Sequence, residues 1–441
     1  MAGSSVAIPR THTKLNSNQI KGFWAAWGGW CLDGMDAFIY ALVLAPALTE
    51  LLPRSGIELN PGNTGYWGSI LQALFLFGWG ASMIWGPIAD RFGRVKALMW
   101  TILFYSVFTF ACGLVMDVYQ LAFLRILCGI GLGGEQPMGG TFVAEEWPED
   151  RRKMGAGYMH TGYYFGFFLA ALANYFIGAN FGWRWMFILG GAPALLVGWI
   201  QSGVHEPKAW QETQKTQKSK PRMVDAFNAL FTTQYRRRTI VNSLLFTVSI
   251  IGLWAGSVYV PLAVTQLAVR EGHTAQEAAR YASYAGGLLA IATIAGCLVA
   301  PGLAELLGRT KAMALYFVSL GAAVVIAFGW VFYQPAPLTE FFVMIVFLGF
   351  GGANFALYTL WLPEQYDTTC RASAIAFVSS VGRFVGVAMV FLVGGAIRSY
   401  GSLGVPVAWT TIAFVVGLLV LPFAYETKGR PLPTAPSQAQ A

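Results

Sequence analysis

Apolar stretches of about twenty residues alternate with short polar segments along nearly all of the 441 residues. A stretch of that length crosses a bilayer as a helix. Twelve are predicted, over about 22–47, 64–88, 97–116, 118–144, 154–178, 185–203, 239–266, 281–304, 312–333, 341–362, 372–397 and 407–425. Residues 1–20 are polar and the first apolar stretch is long enough to stay in the membrane, so no cleaved signal peptide is expected. The pattern predicts an all-α integral membrane protein.

The polar segments repeat. Gly86-Pro87-Ile88-Ala89-Asp90-Arg91-Phe92-Gly93-Arg94-Val95-Lys96 has a fainter copy in Glu305-Leu306-Leu307-Gly308-Arg309-Thr310-Lys311, at an offset of 215. Glu145 and Arg152 recur as Glu364 and Arg371 at an offset of 219, and Glu206 and Lys208 as Glu426 and Lys428 at an offset of 220. Two related halves of six spans each enter from the same side, as parallel repeats do. The predicted organisation is a tail over 1–21, a bundle over 22–203, a basic linker over 204–238, a bundle over 239–425 and a tail over 426–441. In the linker, Val224, Phe227 and Phe231 share one helical face. That face fits a short interfacial helix, and a solvated linker is the alternative.

Composition sharpens the picture. Apolar residues make up 56% and charged residues 11%, against about a quarter charged in soluble domains. The net charge of +8 is a topology signal rather than a nucleic-acid footprint. With both termini cytoplasmic, 22 of the 29 Lys and Arg fall in inner segments and 5 in outer loops, and Arg125 and Arg383 lie within spans. The expected location is the plasma (inner) membrane, multi-pass. Cys31, Cys112, Cys128, Cys297 and Cys370 are scattered singly, which suggests neither a disulfide framework nor a metal site. No nucleophile–base pair or metal-ligand spacing is visible, so neither enzyme activity nor a cofactor is expected.

These motifs carry a family resemblance. Gly86-x-x-x-Asp90-Arg91-x-Gly93-Arg94 resembles the loop 2–3 signature of the major facilitator superfamily, and Arg125-x-x-x-Gly129-x-Gly131-x-Gly133 its helix 4 signature. Pro363-Glu364, Arg371 and Glu426-Thr427-Lys428-Gly429-Arg430 resemble the branch of sugar and metabolite porters. Asp33-Gly34-Met35-Asp36, Gly133-Gly134-Glu135 and Glu145-Glu146-Trp147-Pro148 are most similar to proton symporters of organic acids, of the sialate and aromatic-acid type. The second loop signature departs from the family at Leu306, which stands where an arginine is usual and implies a weaker lock. The resemblance implies the major facilitator fold: twelve helices in two six-helix parallel pseudo-repeats around a central cavity.

Charged residues inside spans are the candidates for chemistry. An Asp at mid-span costs about 2.5–3.5 kcal/mol on insertion scales and is functional by default. Asp33 and Asp36 share a face of the first span, about 17 and 21 Å from its inner end. Glu135 lies about 16 Å deep in the fourth span and Arg383 about 17 Å deep in the eleventh. Asp33, Asp36 and Glu135 are expected to couple protons, although Asp36 has the alternative of simply pairing with Arg125. The glycines before Glu135 serve packing or local unwinding. An arginine holds its proton but grips a carboxylate with two parallel hydrogen bonds, so Arg383 is the expected substrate anchor. A permanent ion pair between the halves is the competing reading. The resemblance gives Arg383 a substrate role and Arg125 a bracing role against the first span. His160 is either a packing residue or a proton carrier. Asp33, Glu135, Gln72, Tyr163, Tyr164, Asn354 and Tyr358 are further candidates to line a pocket.

Asp90, Arg91, Arg94, Arg125, Glu145, Arg152, Glu364 and Arg371 are the gating and structural candidates. Asp90 is expected at the N-terminal end of the eleventh span, whose exposed amides attract an anion. As surface salt bridges these contacts would be worth about 0–1 kcal/mol each, and small energies suit a gate. The expected function is import of a small organic anion by proton symport through alternating access, by a carrier acting as a monomer, with protons and lipid as its other partners and no nucleic acid. A sugar or polyol symporter, a proton antiporter and a non-transporting sensor are the alternatives.

Overall fold

The computed structural model describes residues 13–216, 223–253, 259–400 and 402–433, which are helical with no strand. Residues 1–12 and 434–441 of the predicted tails, 217–222 of the linker and 254–258 of the predicted seventh span lie outside the described residues. The first six spans are built by α1 (Ser17–Arg54), α2 (Pro61–Ala81) continuing into α3 (Trp85–Phe92), α4 (Arg94–Cys112), α5 (Val118–Leu132) with α6 (Glu135–Glu146), α7 (Glu149–Ala173) with the short α8 (Ala179–Phe181), and α9 (Trp183–Leu189) with α10 (Ala194–Gly203). The linker carries α11 (Lys208–Thr216) and α12 (Met223–Leu230). The last six are α13 (Arg236–Leu253) with α14 (Tyr259–Arg270), α15 (Ala275–Leu307), α16 (Arg309–Val324) with the turns that follow it, α17 (Leu338–Gly352) with α18 (Asn354–Trp361), α19 (Arg371–Tyr400), and α20 (Gly404–Ala408) with α21 (Thr411–Val420).

Among the described residues, 8 helices are long and apolar enough to cross a membrane on those grounds alone, and α1, bent by 64° near Pro46, makes up to 9. The remaining three spans are α5–α6, interrupted by a turn at Gly133–Gly134, α7, and α13–α14. The first two carry Arg125, Glu135 and His160.

Apolar burial divides the bundle in two. One core runs from Ala25 to Val204 and takes in Ala372; the other runs from Val241 to Leu421 and takes in Ala156 and Tyr164. The halves meet where α7 packs on α15 and α18, and where α2 and α3 pack on α19. Gly86 allows the second contact, since a Cβ there would lie 2.6 Å from the Ser373 Cα.

The repeated glutamates cap helices. Gly93 and Gly308 adopt φ of 116° and 92°, backbone that favours glycine, and they start α4 and α16. The Glu206 carboxylate accepts from the amides of Arg94 (2.7 Å), Val95 (3.1 Å) and Lys96 (3.1 Å). Glu426 accepts from the amides of Arg309 (3.1 Å) and Thr310 (3.0 Å) and the Thr310 hydroxyl (2.8 Å). Each satisfies the free donors of a helix N-terminus. Burial wins at Glu206 and pushes its carboxyl up. At Glu426 burial also pulls upward, but hydrogen bonds led by the Thr310 amide outweigh it and hold the carboxyl at about 2, against an ordinary 4.5. A depressed folded value stabilises above the unfolded one and is lost as pH falls through the folded one. Glu426→Gln is therefore expected to lower Tm at neutral pH, with the deficit shrinking as pH falls below about 4.5 towards about 2; a pH series of melting curves in detergent checks this.

Helix α12 forms and packs against α3 and α19. Phe227 and Phe231 set their rings 6.3 and 5.3 Å from that of Phe377 on α19, while Val224 stays exposed. Cys112 and Cys128, far apart in sequence, bring their sulfurs within 3.9 Å.

Candidate functional site

A narrow cavity lies between the halves. Its wall is aromatic: Trp30 on α1, Trp79 on α2, His160, Tyr163 and Tyr164 on α7, and Phe355 on α18. Leu76, Ile250 and Leu253 add aliphatic surface, and Gln136 and Arg383 supply polar groups. The rings interlock. Trp30 and Tyr163 lie 4.8 Å apart, and His160 stacks on Phe355 with an interplanar angle of 5°. The cavity volume is about 50 Å³, room for a few waters and not for an organic acid, so the walls must part to admit a ligand.

Arg383 is 4% exposed. Its Nη2 donates to Gln136 Oε1 at 3.2 Å, its Nη1 has no hydrogen-bond partner in the protein, and its guanidinium lies 4.5 Å from the Trp79 ring centroid. It forms no contact ion pair among the described residues, and its interaction with Asp33 is at longer range. A buried guanidinium with a spare donor in an aromatic-walled cavity is arranged to receive an acceptor.

The three intramembrane acids gather behind that cavity, in the first half. Asp33, Asp36 and Glu135 are each 1% exposed or less. Neither oxygen of Asp33 or Asp36 has a hydrogen-bond partner in the protein, nor does Glu135 Oε2. Asp33 interacts electrostatically with Glu135, Asp36 and Arg383. Glu135 Oε1 accepts from Thr101 at 3.5 Å, and its carboxylate packs so closely on α1 that a Cβ at Gly29 would meet Oε2 at 2.2 Å. Arg125 is fully buried between the rings of Tyr40 and Phe75, each 4.1 Å away, and makes no hydrogen bond. Asp36 acts on it electrostatically without an ion pair at contact.

At the end of the bundle that carries Asp90, charged side chains lock the halves together. The Asp90 carboxylate accepts from the amides of Ala372 (3.3 Å) and Ser373 (2.9 Å) and the Ser373 hydroxyl (2.5 Å), at the start of α19. Arg94 pairs with Asp90 at 3.1 Å and grips Glu145 with two bonds of 3.0 Å, and Arg371 reaches Glu145 at 2.6 Å. Glu364 binds Arg309 with two bonds of 3.0 and 2.9 Å and Arg152 at 3.2 Å. Lys153 crosses to Glu305 at 2.6 Å. Most of these groups are buried, not surface pairs, so breaking one leaves an uncompensated buried charge worth about 3–5 kcal/mol. Separating both partners into water is much cheaper, because hydration offsets the lost attraction. Arg91 sits apart from this network, over the Phe92 ring. Leu306 is 74% exposed, and only its carbonyl is used, by Lys428 at 3.0 Å.

Of the residues predicted to line a pocket, Tyr163, Tyr164 and Arg383 do so. Asp33 and Glu135 lie behind the wall. Tyr358 is buried and bonds Ser249 at 3.0 Å, Asn354 bonds the Gly351 carbonyl at 2.9 Å, and Gln72 is half-buried on α2 away from the cavity. Sequence reasoning did not find Trp30, Trp79, Gln136 or Phe355. For Gln136 the signal was present: a polar residue beside an intramembrane acid, after a glycine pair that can re-aim the helix.

The profile of the Major Facilitator Superfamily matches residues 26–389. The niacin transporter NiaP of Acinetobacter baylyi is 27% identical over 442 residues, covering 93% of this chain and 94% of that one. The gallate transporter of Pseudomonas putida is 26% identical over 436 residues, covering 92% of each chain. Among solved structures, the proton:xylose symporter XylE bound to 6-bromo-6-deoxy-D-glucose superposes with a TM-score of 0.79 over 94% of this chain and 98% of that one, at 18% identity, a likeness of fold.

Proposed function

The chain belongs to the Major Facilitator Superfamily, a multi-pass membrane transporter and not an enzyme, and on that premise we propose that it imports a small organic anion by proton symport through alternating access. The observation that carries the reading is Arg383, buried in the cavity between the halves with an unpartnered donor. Relatives of the chain include transporters of niacin and gallate, and a flat, unsaturated carboxylate suits the aromatic wall: its ring stacks on Trp, Tyr or Phe while its carboxylate reaches the guanidinium. A sugar would find hydroxyl partners in Gln136, Tyr163, Tyr164 and the unpartnered Trp30 and Trp79 Nε1, but it would leave the buried Arg383 charge without a counter-charge.

In this reading Asp33 and Glu135 carry the proton, and Asp36 with Arg125 supports them. An ionised carboxylate near the site repels the incoming anion until it is protonated, so proton and substrate load together. Asp90 closes the cytoplasmic side when the carrier faces outward, both termini are cytoplasmic, and the monomer is the working unit. One proton moving with one monoanion carries no net charge, so uptake follows the pH gradient at about 1.4 kcal/mol per unit. Uptake of labelled carboxylate into proteoliposomes under an imposed pH gradient or an imposed voltage tests this: the gradient is expected to drive accumulation and voltage alone to have no effect. Accumulation driven by voltage at equal pH would contradict it. Asp90→Asn is expected to slow cycling while leaving carboxylate binding measurable, since Asp90 belongs to the gate network and not to the lining of the cavity. Parallel uptake and binding assays check this.

A further inference from the structure

One face of α4 carries hydroxyls at i, i+4 and i+8. Thr101 donates to the Leu98 carbonyl at 2.8 Å and lies 3.5 Å from Glu135 Oε1, the acceptor it reaches when its hydroxyl rotates. Thr109 and Asp36 meet at Gly190, where a Cβ would lie 2.3 Å from the Thr109 methyl and 3.2 Å from the Asp36 oxygen. Between them stands Tyr105, fully buried, its hydroxyl without a hydrogen-bond partner in the protein. Glycines set this face tightly in place. Thr101 abuts Gly134, and Tyr105 abuts Gly131, where a Cβ would lie 2.6 Å from the Tyr105 Cβ. The Tyr105 side chain interacts electrostatically with Glu135, Asp33 and Asp36. Four residues of helix rise about 6 Å, so the ladder covers about 12 Å along the span.

We propose that Thr101, Tyr105 and Thr109 form a hydroxyl ladder that passes the coupled proton between Asp36 and Glu135, with Tyr105 as the bridging rung, so that Asp36 takes part in proton transfer in addition to supporting Asp33. The proposal rests on the proton-symport reading. The other groups facing the ladder are Asp33 and Cys31 on α1, Arg125 on α5, and the thiols of Cys112 and Cys128, the latter accepting from Thr109 at 3.5 Å. Asp33 acts on both Asp36 and Glu135 and is the competing route, which the Tyr105 variant separates from the ladder because it leaves Asp33 in place. A phenol with an ordinary value near 10 keeps its proton near neutral pH, so Tyr105 acts by exchange. Its oxygen accepts a proton arriving from the Asp36 side while its own O–H proton leaves towards the Glu135 carboxylate. Asp36 ends ionised, Glu135 neutral and Tyr105 unchanged, with no change in total charge. On α4, which runs from Arg94 at the gate end to Cys112 at the other, this carries the proton inward.

The test separates the ladder from packing and from the reading beneath it. The full chain is reconstituted with an internal pH indicator, and the probe is whichever of nicotinate, gallate or muconate acidifies the unaltered protein's vesicles fastest. Tyr105→Phe keeps the ring and removes one oxygen. It is expected to slow acidification about tenfold or more, against the ~10²–10⁴ typical of a positioned proton-transfer group, while exchange of labelled probe across vesicles at equal pH stays near the parent rate. Thr101→Val is expected to behave the same way and Thr101→Ser to restore acidification, so the idea remains testable if Tyr105→Phe fails to fold. Parental acidification in both Tyr105→Phe and Thr101→Val, or acidification and exchange falling together, would overturn the ladder. Absence of acidification by every probe with the unaltered protein would instead sink the symport reading and the ladder with it.

Discussion

Arg383→Gln is expected to weaken carboxylate binding on the order of 100-fold, within the ~2–5 kcal/mol typical of losing one partner of a buried charge pair. Arg383→Lys is expected to fail nearly as badly, because an ammonium cannot reproduce the planar fork. Titration calorimetry on the purified protein measures both. Stability without ligand should move the other way. The guanidinium has one hydrogen bond of 3.2 Å and an unpartnered nitrogen while 4% exposed, so replacing a desolvated charge with an amide is expected to hold or raise Tm. Binding lost while stability is kept marks a functional charge. A permanent ion pair with Asp33 predicts the reverse, a drop in Tm, and a sugar substrate predicts that Arg383→Lys is tolerated.

The second large effect is expected at the gate. Glu145 binds both Arg94 and Arg371, and all three side chains are fully buried. Glu145→Gln leaves the buried Arg371 guanidinium without its carboxylate and Arg94 with Asp90 alone, at a cost of about 3–5 kcal/mol to the closed state. That shifts the closed-to-open ratio by 100-fold or more in favour of a form open at the Asp90 end. Spin labels at Met154 on α7 and Leu306 on α15, both exposed there and on opposite halves, read the change. Their distance distribution is expected to move to longer values in Glu145→Gln and to return in Glu145→Asp to the extent that the shorter acid still reaches. An unchanged distribution would mean that the network does not hold the halves together.

Much of this was legible because charge is scarce in an apolar chain. The repeat linking Gly93 to Gly308 and Glu206 to Glu426 showed two halves, and the structure gives it a physical meaning: each glycine starts a helix whose amides the paired glutamate caps. Asp33, Asp36, Glu135 and Arg383 stood out for the same reason. What could not be read was direction. Trp30, Trp79 and Phe355 are indistinguishable from lipid-facing aromatics until the helices are packed. Tyr358 and Asn354 looked available but bond Ser249 and the Gly351 carbonyl within their own half, with only the Asn354 Oδ1 left unpartnered. Gln136 depends on how the chain re-aims after Gly133–Gly134. The Thr101, Tyr105 and Thr109 spacing was present, but hydroxyls in apolar helices commonly bond their own backbone, as Thr101 does to the Leu98 carbonyl, and only the contacts with Glu135 and Gly190 single this face out. Burial was misjudged too: the gate pairs looked like surface salt bridges, and packing of α3 against α19 hides them.

The most direct test of the account is the internal pH of sealed proteoliposomes while carboxylates and neutral sugars are added outside. The account predicts acidification by aromatic or unsaturated carboxylates, none by sugars, and no response in Arg383→Gln or Asp33→Asn. Acidification by sugars alone, or an undiminished carboxylate response in Arg383→Gln, would contradict it.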